Sequence, residues 1–346
     1  MRNILIVALL CLACSCQKEK FTKSGMANDH FFLQSNGANM PVYVRGNLNN
    51  EKIVILVHGG PGNSDLQYRV EPNGSEPKIN KLEKEFAVVY YDQRGAGASQ
   101  GNNIDMDVIN FKKDLKNLIL LLKAKYGNNK KIYVMGHSWG GFVVPYFLEE
   151  YQNMVNGWIQ VDGAHNYSLN DSLTWRKLSS FGNTQIAANI RASEWQTIVN
   201  YCNLNNPLNN KIVGRKLNRY AGDVEAYIPD LPTGSTLAEK LKQLPKSGIP
   251  ITSYVSNLVA NTFITQTDFQ AYSIPISENL FKINKPALLL WGKYDFICPS
   301  ELMNDITSKI SSTDVTSKIF NKSGHSPMVD EPELFWQTVV DWVAVH

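Results

Sequence analysis

Short apolar runs recur along the chain, separated by stretches of helical spacing. Lys52–Val57, Phe86–Tyr91, Lys131–Met135, Gly157–Val161 and Lys285–Trp291 are apolar at almost every position. Runs this short predict strands buried on both faces of a parallel sheet, where neither row of side chains meets water. Val315–Phe320 reads as a last strand. In Asp107–Tyr126, Val108, Leu115, Leu118, Ile119 and Leu122 fall at helical spacing and Gly127 ends the pattern. Phe142–Tyr151 and Ser300–Ile310 read as helices, and a terminal helix opens at Glu331. This alternation predicts an α/β fold, a mostly parallel twisted sheet flanked by helices. Ahead of it, Phe31–Leu33 and Met40–Val44, with Gly37 and Asn39 between them, predict a hairpin.

The alternation lapses between residues 163 and 283. Short helical stretches rich in Asn, Ser and Thr replace it, punctuated by Pro207, Pro229, Pro232, Pro245, Pro250 and Pro275. An insertion of this character predicts a helical cap that excludes water and shapes a pocket. The core is then residues 31–162 and 284–346, with the cap inserted between. A length of 346 residues and 43% hydrophobic content suit one core with an inserted subdomain. The net charge of +3 comes without a basic stripe and gives no case for a nucleic-acid partner.

Composition changes the picture at the N-terminus. Arg2 precedes the apolar run Ile4–Leu12, which is too short to span a bilayer as a stable helix. Cys11, Cys14 and Cys16 follow, then Gln-Lys-Glu-Lys. The arrangement resembles a bacterial lipoprotein signal. It implies that residues 1–15 are removed, that Cys16 carries the lipid, and that residues 16–30 form a flexible tether. Cys14 is the alternative acylation site. The expected location is the cell envelope, with the chain lipid-anchored to a membrane; a plain secretory signal would leave it secreted or periplasmic. Only Cys202 and Cys298 remain in the body. They could pair in an oxidising compartment, but their separation in sequence favours independent buried thiols.

The chemistry gathers at strand ends. Gly136-His-Ser138-Trp139-Gly-Gly141 stands between Lys131–Met135 and the helix Phe142–Tyr151. That is the G-x-S-x-G pattern in strand–turn–helix context, where a sharp turn exposes the serine hydroxyl. The N–H of Trp139 is then placed to stabilise a developing oxyanion. His58-Gly-Gly60-Pro-Gly62 follows another buried strand and supplies a second N–H, from Gly60. The histidines lack H-E-x-x-H or H-x-x-E-H spacing and no phosphate-binding glycine loop is present, so neither metal nor cofactor is expected.

With Asp92-Gln-Arg-Gly-x-Gly-x-Ser99, these motifs resemble the proline iminopeptidase branch of the α/β-hydrolase superfamily. The resemblance covers about residues 40–162 and 284–346. It implies supporting roles for Asp92 and Arg94, and for His58 and His137. The superfamily order of triad members is met by Ser138, Asp295 and His325, the last two each directly after a predicted strand. Ser138 is the expected nucleophile, His325 the base, and Asp295 the acid that holds the imidazole. Asp162 also ends a strand and is a rival acid. Cys298 is given no nucleophilic role. Serine at 138 counts against dehalogenase and epoxide hydrolase chemistry, which needs aspartate there.

The expected function is a serine hydrolase working through an acyl-enzyme. The resemblance implies an aminopeptidase that releases N-terminal proline or small residues from small peptides. Such an enzyme needs cap carboxylates for the substrate ammonium, and Asp171, Glu194, Asp223, Glu225, Asp230, Glu239, Asp268 and Glu278 are candidates. The alternative is a carboxylesterase or lipase acting on small or apolar esters. A more remote one is a catalytically inactive binding protein.

Overall fold

A computed structural model describes residues 25–69, 78–101, 106–207, 210–229, 231 and 270–346. The expected lipoprotein signal, with Cys14 and Cys16, lies outside the described residues. Among those described, no helix is long and apolar enough to cross a membrane.

The chain opens with β1 (Met26–Ser35) and β2 (Ala38–Asn47), paired antiparallel from Met26↔Asn47 to Ser35↔Ala38. The strand therefore takes in residues 26–30, which the apolar pattern assigns to a tether. In most of β1 exposed positions alternate with half-buried ones, so no apolar run marks its start. The remaining strands are β3 (Lys52–Val57), β4 (Ala87–Tyr91), β5 (Gln100–Gly101), β6 (Lys131–His137), β7 (Gly157–Val161), β8 (Ala287–Gly292) and β9 (Val315–Phe320). The sheet order is β1-β2-β4-β3-β6-β7-β8-β9, with β5 paired to β2. From β4 to β9 along this path every pairing is parallel.

The central strands are buried on both sides, which explains their unbroken apolar runs. Ile53, Ile55 and Val57 of β3 face α2 (Val108–Tyr126) and α3 (Gly140–Tyr151), where Phe111, Leu115, Leu118, Phe142 and Phe147 meet them. Val54 and Leu56 face the opposite layer, made by α1 (Asn80–Glu85) and the C-terminal helix, through Leu82, Phe335, Trp336 and Val339. Each such side chain contributes about 1.5–3 kcal/mol on leaving water.

The cap supplies α4 (Tyr167–Ala187), α5 (Ala192–Leu204) and α6 (Lys211–Glu225). These helices close on a small core of their own, including Leu178, Trp195, Ile198, Leu217 and Val224. Phe296, from the loop after β8, inserts into it and fastens cap to sheet. Asn166 caps α4 by accepting the Leu169 N–H at 3.0 Å. The chain returns through Ile276, Leu280 and Ile283, which join the sheet core, to α7 (Glu301–Lys309) and α8 (Pro332–Val345). Cys202 and Cys298 are both buried free thiols.

Candidate active site

The motifs around His58, Asp92, Ser138, Asp295 and His325 all lie at or beyond the C-terminal end of a parallel strand. Ser138 follows β6 directly, with φ of 54°. A non-glycine residue in the left-handed region is strained, and here the surroundings enforce it. The Ser138 N–H donates to Val161 O (3.1 Å), while Ser138 O accepts from Gly141 N (2.9 Å) and Ala164 N (3.1 Å). The turn leaves no room beside the serine. A Cβ on Gly136 would lie 2.6 Å from the Gly140 carbonyl carbon, and one on Gly140 would overlap Val57 O.

Three loops are joined beneath this turn by hydrogen bonds. Trp139, 1% exposed, donates from Nε1 to Gln93 Oε1 at 3.1 Å. Gln93 Nε2 donates to His58 O (2.7 Å), and the Gln93 N–H donates to His58 Nε2 (3.0 Å). With Nε2 accepting, His58 carries its proton on Nδ1 and donates to Gly59 O at 2.7 Å. Burial pushes the His58 pKa down, so the ring is neutral. His58 is thereby a strut that fixes the loop carrying Gly60, whose φ is 131°. A Cβ on Gly59 would sit 3.2 Å from Ser138 Cβ, so this loop runs over the serine.

Asp92 and Arg94 also serve as struts. Asp92 accepts from Ser64 Oγ (2.7 Å), Asp65 N (3.0 Å) and Ala98 N (2.7 Å). Burial first, and Asp65 second, push its carboxyl up to about 7. Arg94 grips the buried Asp114 through Nε (2.7 Å) and one terminal nitrogen (2.8 Å).

His325 and Asp295 meet across the loops after β9 and β8. His325 Nδ1 lies 2.9 Å from Asp295 Oδ2. Asp295 is fully buried, and its Oδ1 accepts the N–H groups of Ile297 and Cys298, both at 2.8 Å. A carboxylate only accepts, so the imidazole proton sits on Nδ1 and Nε2 is left as the basic atom. Burial alone would depress the His325 pKa, but the charges of Asp295 and then Glu225 more than reverse that. His137 donates from Nε2 to His325 O (2.8 Å) and packs its ring on that of His325, centroids 5.0 Å apart. Burial, with the nearby His325 charge, pushes His137 down to about 3, so it is no rival base.

The rival acid Asp162 does not hold the imidazole; its Oδ1 accepts the Gly292 N–H at 2.9 Å. Burial, then the charge of Asp295, pushes its carboxyl well above the usual range. Among the described residues, Asp295, Cys298 and His325 bring their potential ligand atoms within 4.8 Å of one another. Burial and then the Asp295 charge push the Cys298 thiol up, so it stays protonated and unreactive.

Of the cap carboxylates, Glu225 reaches the site. It accepts the His325 main-chain N–H at 3.1 and 3.2 Å. Burial, then the Asp295 charge, pushes it up to about 7. Asp171 is buried and accepts from Tyr272 Oη at 2.6 Å, while Glu194, Asp223 and Glu278 stand on the surface. Asp230, Glu239 and Asp268 lie outside the described residues. Sequence reasoning missed Gln93 as the link between loops, and it could not separate Glu225 from the other acids. No local pattern marks either contact, since Glu225 and His325 lie 100 positions apart.

A family model described as alpha/beta hydrolase fold matches residues 52–332. The chain is 23% identical over 292 residues to a probable aminopeptidase, YbaC, of Bacillus subtilis, across 83% of this chain and 87% of that protein. It is likewise 23% identical over 300 residues to a proline iminopeptidase of Clostridioides difficile, across 86% of this chain and 91% of that protein. Among solved structures, an esterase from Exiguobacterium antarcticum matches with a TM-score of 0.59 at 18% identity, covering 90% of this chain and 98% of that one. Likeness at that level carries the fold and leaves the substrate open.

Proposed function

The chain belongs to the alpha/beta hydrolase fold family, and on that premise we propose a serine hydrolase whose triad is Ser138, His325 and Asp295. The observation that carries this reading is the 2.9 Å contact between His325 Nδ1 and Asp295 Oδ2. It holds the base in the one tautomer that can take a proton from the strained Ser138 turn. In this scheme Ser138 Oγ attacks the acyl carbonyl while His325 Nε2 takes its proton. The developing oxyanion is held by the N–H groups of Gly60 and Trp139, the latter at the N-terminal end of α3. His325 then protonates the leaving group, and water attacks the acyl-enzyme by the reverse path.

For the substrate we favour a peptide with a free N-terminal amine, cleaved in the manner of a proline iminopeptidase. Two observations support this choice. Both relatives named above carry aminopeptidase names. Carboxylates also crowd the base: Asp295, Glu225 and Asp330 all act on the His325 charge. Such surroundings favour a cationic group on the substrate and offer nothing to a neutral ester. The esterase neighbour keeps ester hydrolysis as the second reading. Purified enzyme decides between them: prolyl-naphthylamide is expected to be the better substrate by kcat/KM, and a clear preference for p-nitrophenyl butyrate overturns the peptide reading.

The location follows from Cys16, which we propose as the acylated residue of an envelope lipoprotein. Several acyl chains hold a protein stably where one would not. Cys16→Ser should abolish palmitate labelling, and labelling lost only in Cys14→Ser moves the site there.

A further inference from the structure

The loop bearing His325 lacks the regular pairing of a sheet or helix, and side chains hold its main chain instead. The Gly324 N–H donates to Asp330 Oδ2 at 2.9 Å. The His325 carbonyl accepts from His137, on the strand that leads to the nucleophile. The His325 N–H donates to Glu225, which closes α6 of the cap. The Phe296 main chain, one residue beyond Asp295, also favours the charged form of Glu225. A single cap carboxylate therefore holds the loop of the base and stands beside the loop of the acid.

Two further features show that this contact is built into the fold. A Cβ on Gly324 would come within 2.6 Å of Glu225 Oε2, so the carboxylate packs directly against this backbone. The cap grips the acid loop through a second helix as well. Asn170 Nδ2 (3.0 Å) and Thr174 Oγ1 (3.3 Å) donate to Ile297 O, and Lys177 Nζ donates to Asp295 O (2.8 Å). These residues lie three to four positions apart on α4 and so share one face.

We infer that Glu225 is a positioning residue: through the main chain of His325 it sets the imidazole against Asp295 and makes catalysis depend on a seated cap. The inference rests on the triad reading above and extends it to a residue that touches no reacting atom. Positioning of the base differs from reception of a substrate ammonium in one testable way, because it acts on every substrate, including a neutral one. A shift of about 1 Å in a catalytic group can cost on the order of 100-fold.

The experiment compares Glu225→Ala and Glu225→Gln with wild type, using p-nitrophenyl butyrate as a neutral probe. Glutamine keeps an acceptor oxygen for the His325 N–H but lacks the charge; alanine lacks both. With positioning, Glu225→Ala lowers kcat for the ester by about 10- to 100-fold with little change in KM, and Glu225→Gln regains most of that loss. The His325 imidazole titration, followed by proton NMR, shifts to lower pH in both variants because one of three facing carboxylates (Asp295, Glu225, Asp330) has lost its charge, with His137 unchanged opposite. An ester kcat in Glu225→Ala within about two-fold of wild type overturns the inference. So does a Glu225→Gln variant as impaired as Glu225→Ala, since an acceptor then restores nothing. A rise in KM for prolyl-naphthylamide alone, with ester kcat untouched, assigns Glu225 to the substrate amine and also refutes positioning. The NMR titration needs no turnover, so it tests the contact even if the triad reading itself fails.

Discussion

Replacing Asp295 by Asn removes a charge without changing shape, and the structure dictates which way the amide must face. Asp295 Oδ1 accepts from two main-chain N–H groups, those of Ile297 and Cys298. An amide nitrogen there would set a donor against two donors, so the asparagine oxygen stays in that place. The NH2 group then faces His325 Nδ1, which in wild type donates to Oδ2. Two donors cannot share that contact, and the ring relieves it by moving its proton to Nε2. Nε2 then has no lone pair for the Ser138 proton. The expected loss is about 10⁴-fold in kcat, the size of the wrong-tautomer effect in serine hydrolases. The hydrogen bond to a charged group becomes a neutral one, so stability should fall by about 1 kcal/mol. Asp162→Asn is the matched control. Asp162 is buried beside Asp295 and its carboxyl is pushed well above the usual range, so loss of its charge should matter less. Steady-state kinetics with a naphthylamide and the rate of fluorophosphonate labelling would both be measured, with melting curves alongside. If Asp295→Asn keeps more than about a tenth of wild-type kcat, or Asp162→Asn loses more than Asp295→Asn, the assignment of the acid is wrong.

Gly140→Ala should cost about 3 kcal/mol by overpacking, because its Cβ would lie 2.7 Å from the Val57 carbonyl carbon and 3.0 Å from His58 O; a melting temperature within about 1 °C of wild type would show that the turn yields more easily than its packing implies. Activity should fall on acidification, since protonated His325 cannot accept the serine proton. His325 is held above the ordinary value of 6.5, with Asp295 and Glu225 outweighing burial, so the midpoint of the acidic limb of kcat/KM should lie above that value; a midpoint below it would show that burial wins.

The sheet was legible because burial on both faces writes itself into the sequence as unbroken apolar runs, and β3, β4, β6, β7 and β8 all have them. The start of β1 was not legible, since at Met26–His30 the strand alternates between exposed and half-buried residues and carries Asn28, Asp29 and His30. Ser138, Asp295 and His325 could be singled out as candidates because each sits in a short motif after a strand, where chain order alone limits the choices. The choice between Asp295 and Asp162 was not decidable that way, as both end strands. Distance separates them: Asp295 contacts the imidazole, while Asp162 turns to the Gly292 N–H. The cap was visible only as a lapse in periodicity. Its contacts with the site join residues a hundred or more positions apart, and helical spacing in Lys211–Glu225 says nothing about which carboxylate ends beside His325.

The central claim is that Ser138 is the acyl-accepting nucleophile, and the most direct test is intact-mass analysis after reaction with a fluorophosphonate. The expected result is one adduct per chain, mapped by peptide fragmentation to Ser138, with no adduct and no turnover in Ser138→Ala. An adduct on another residue, or hydrolysis that survives in Ser138→Ala, would contradict it.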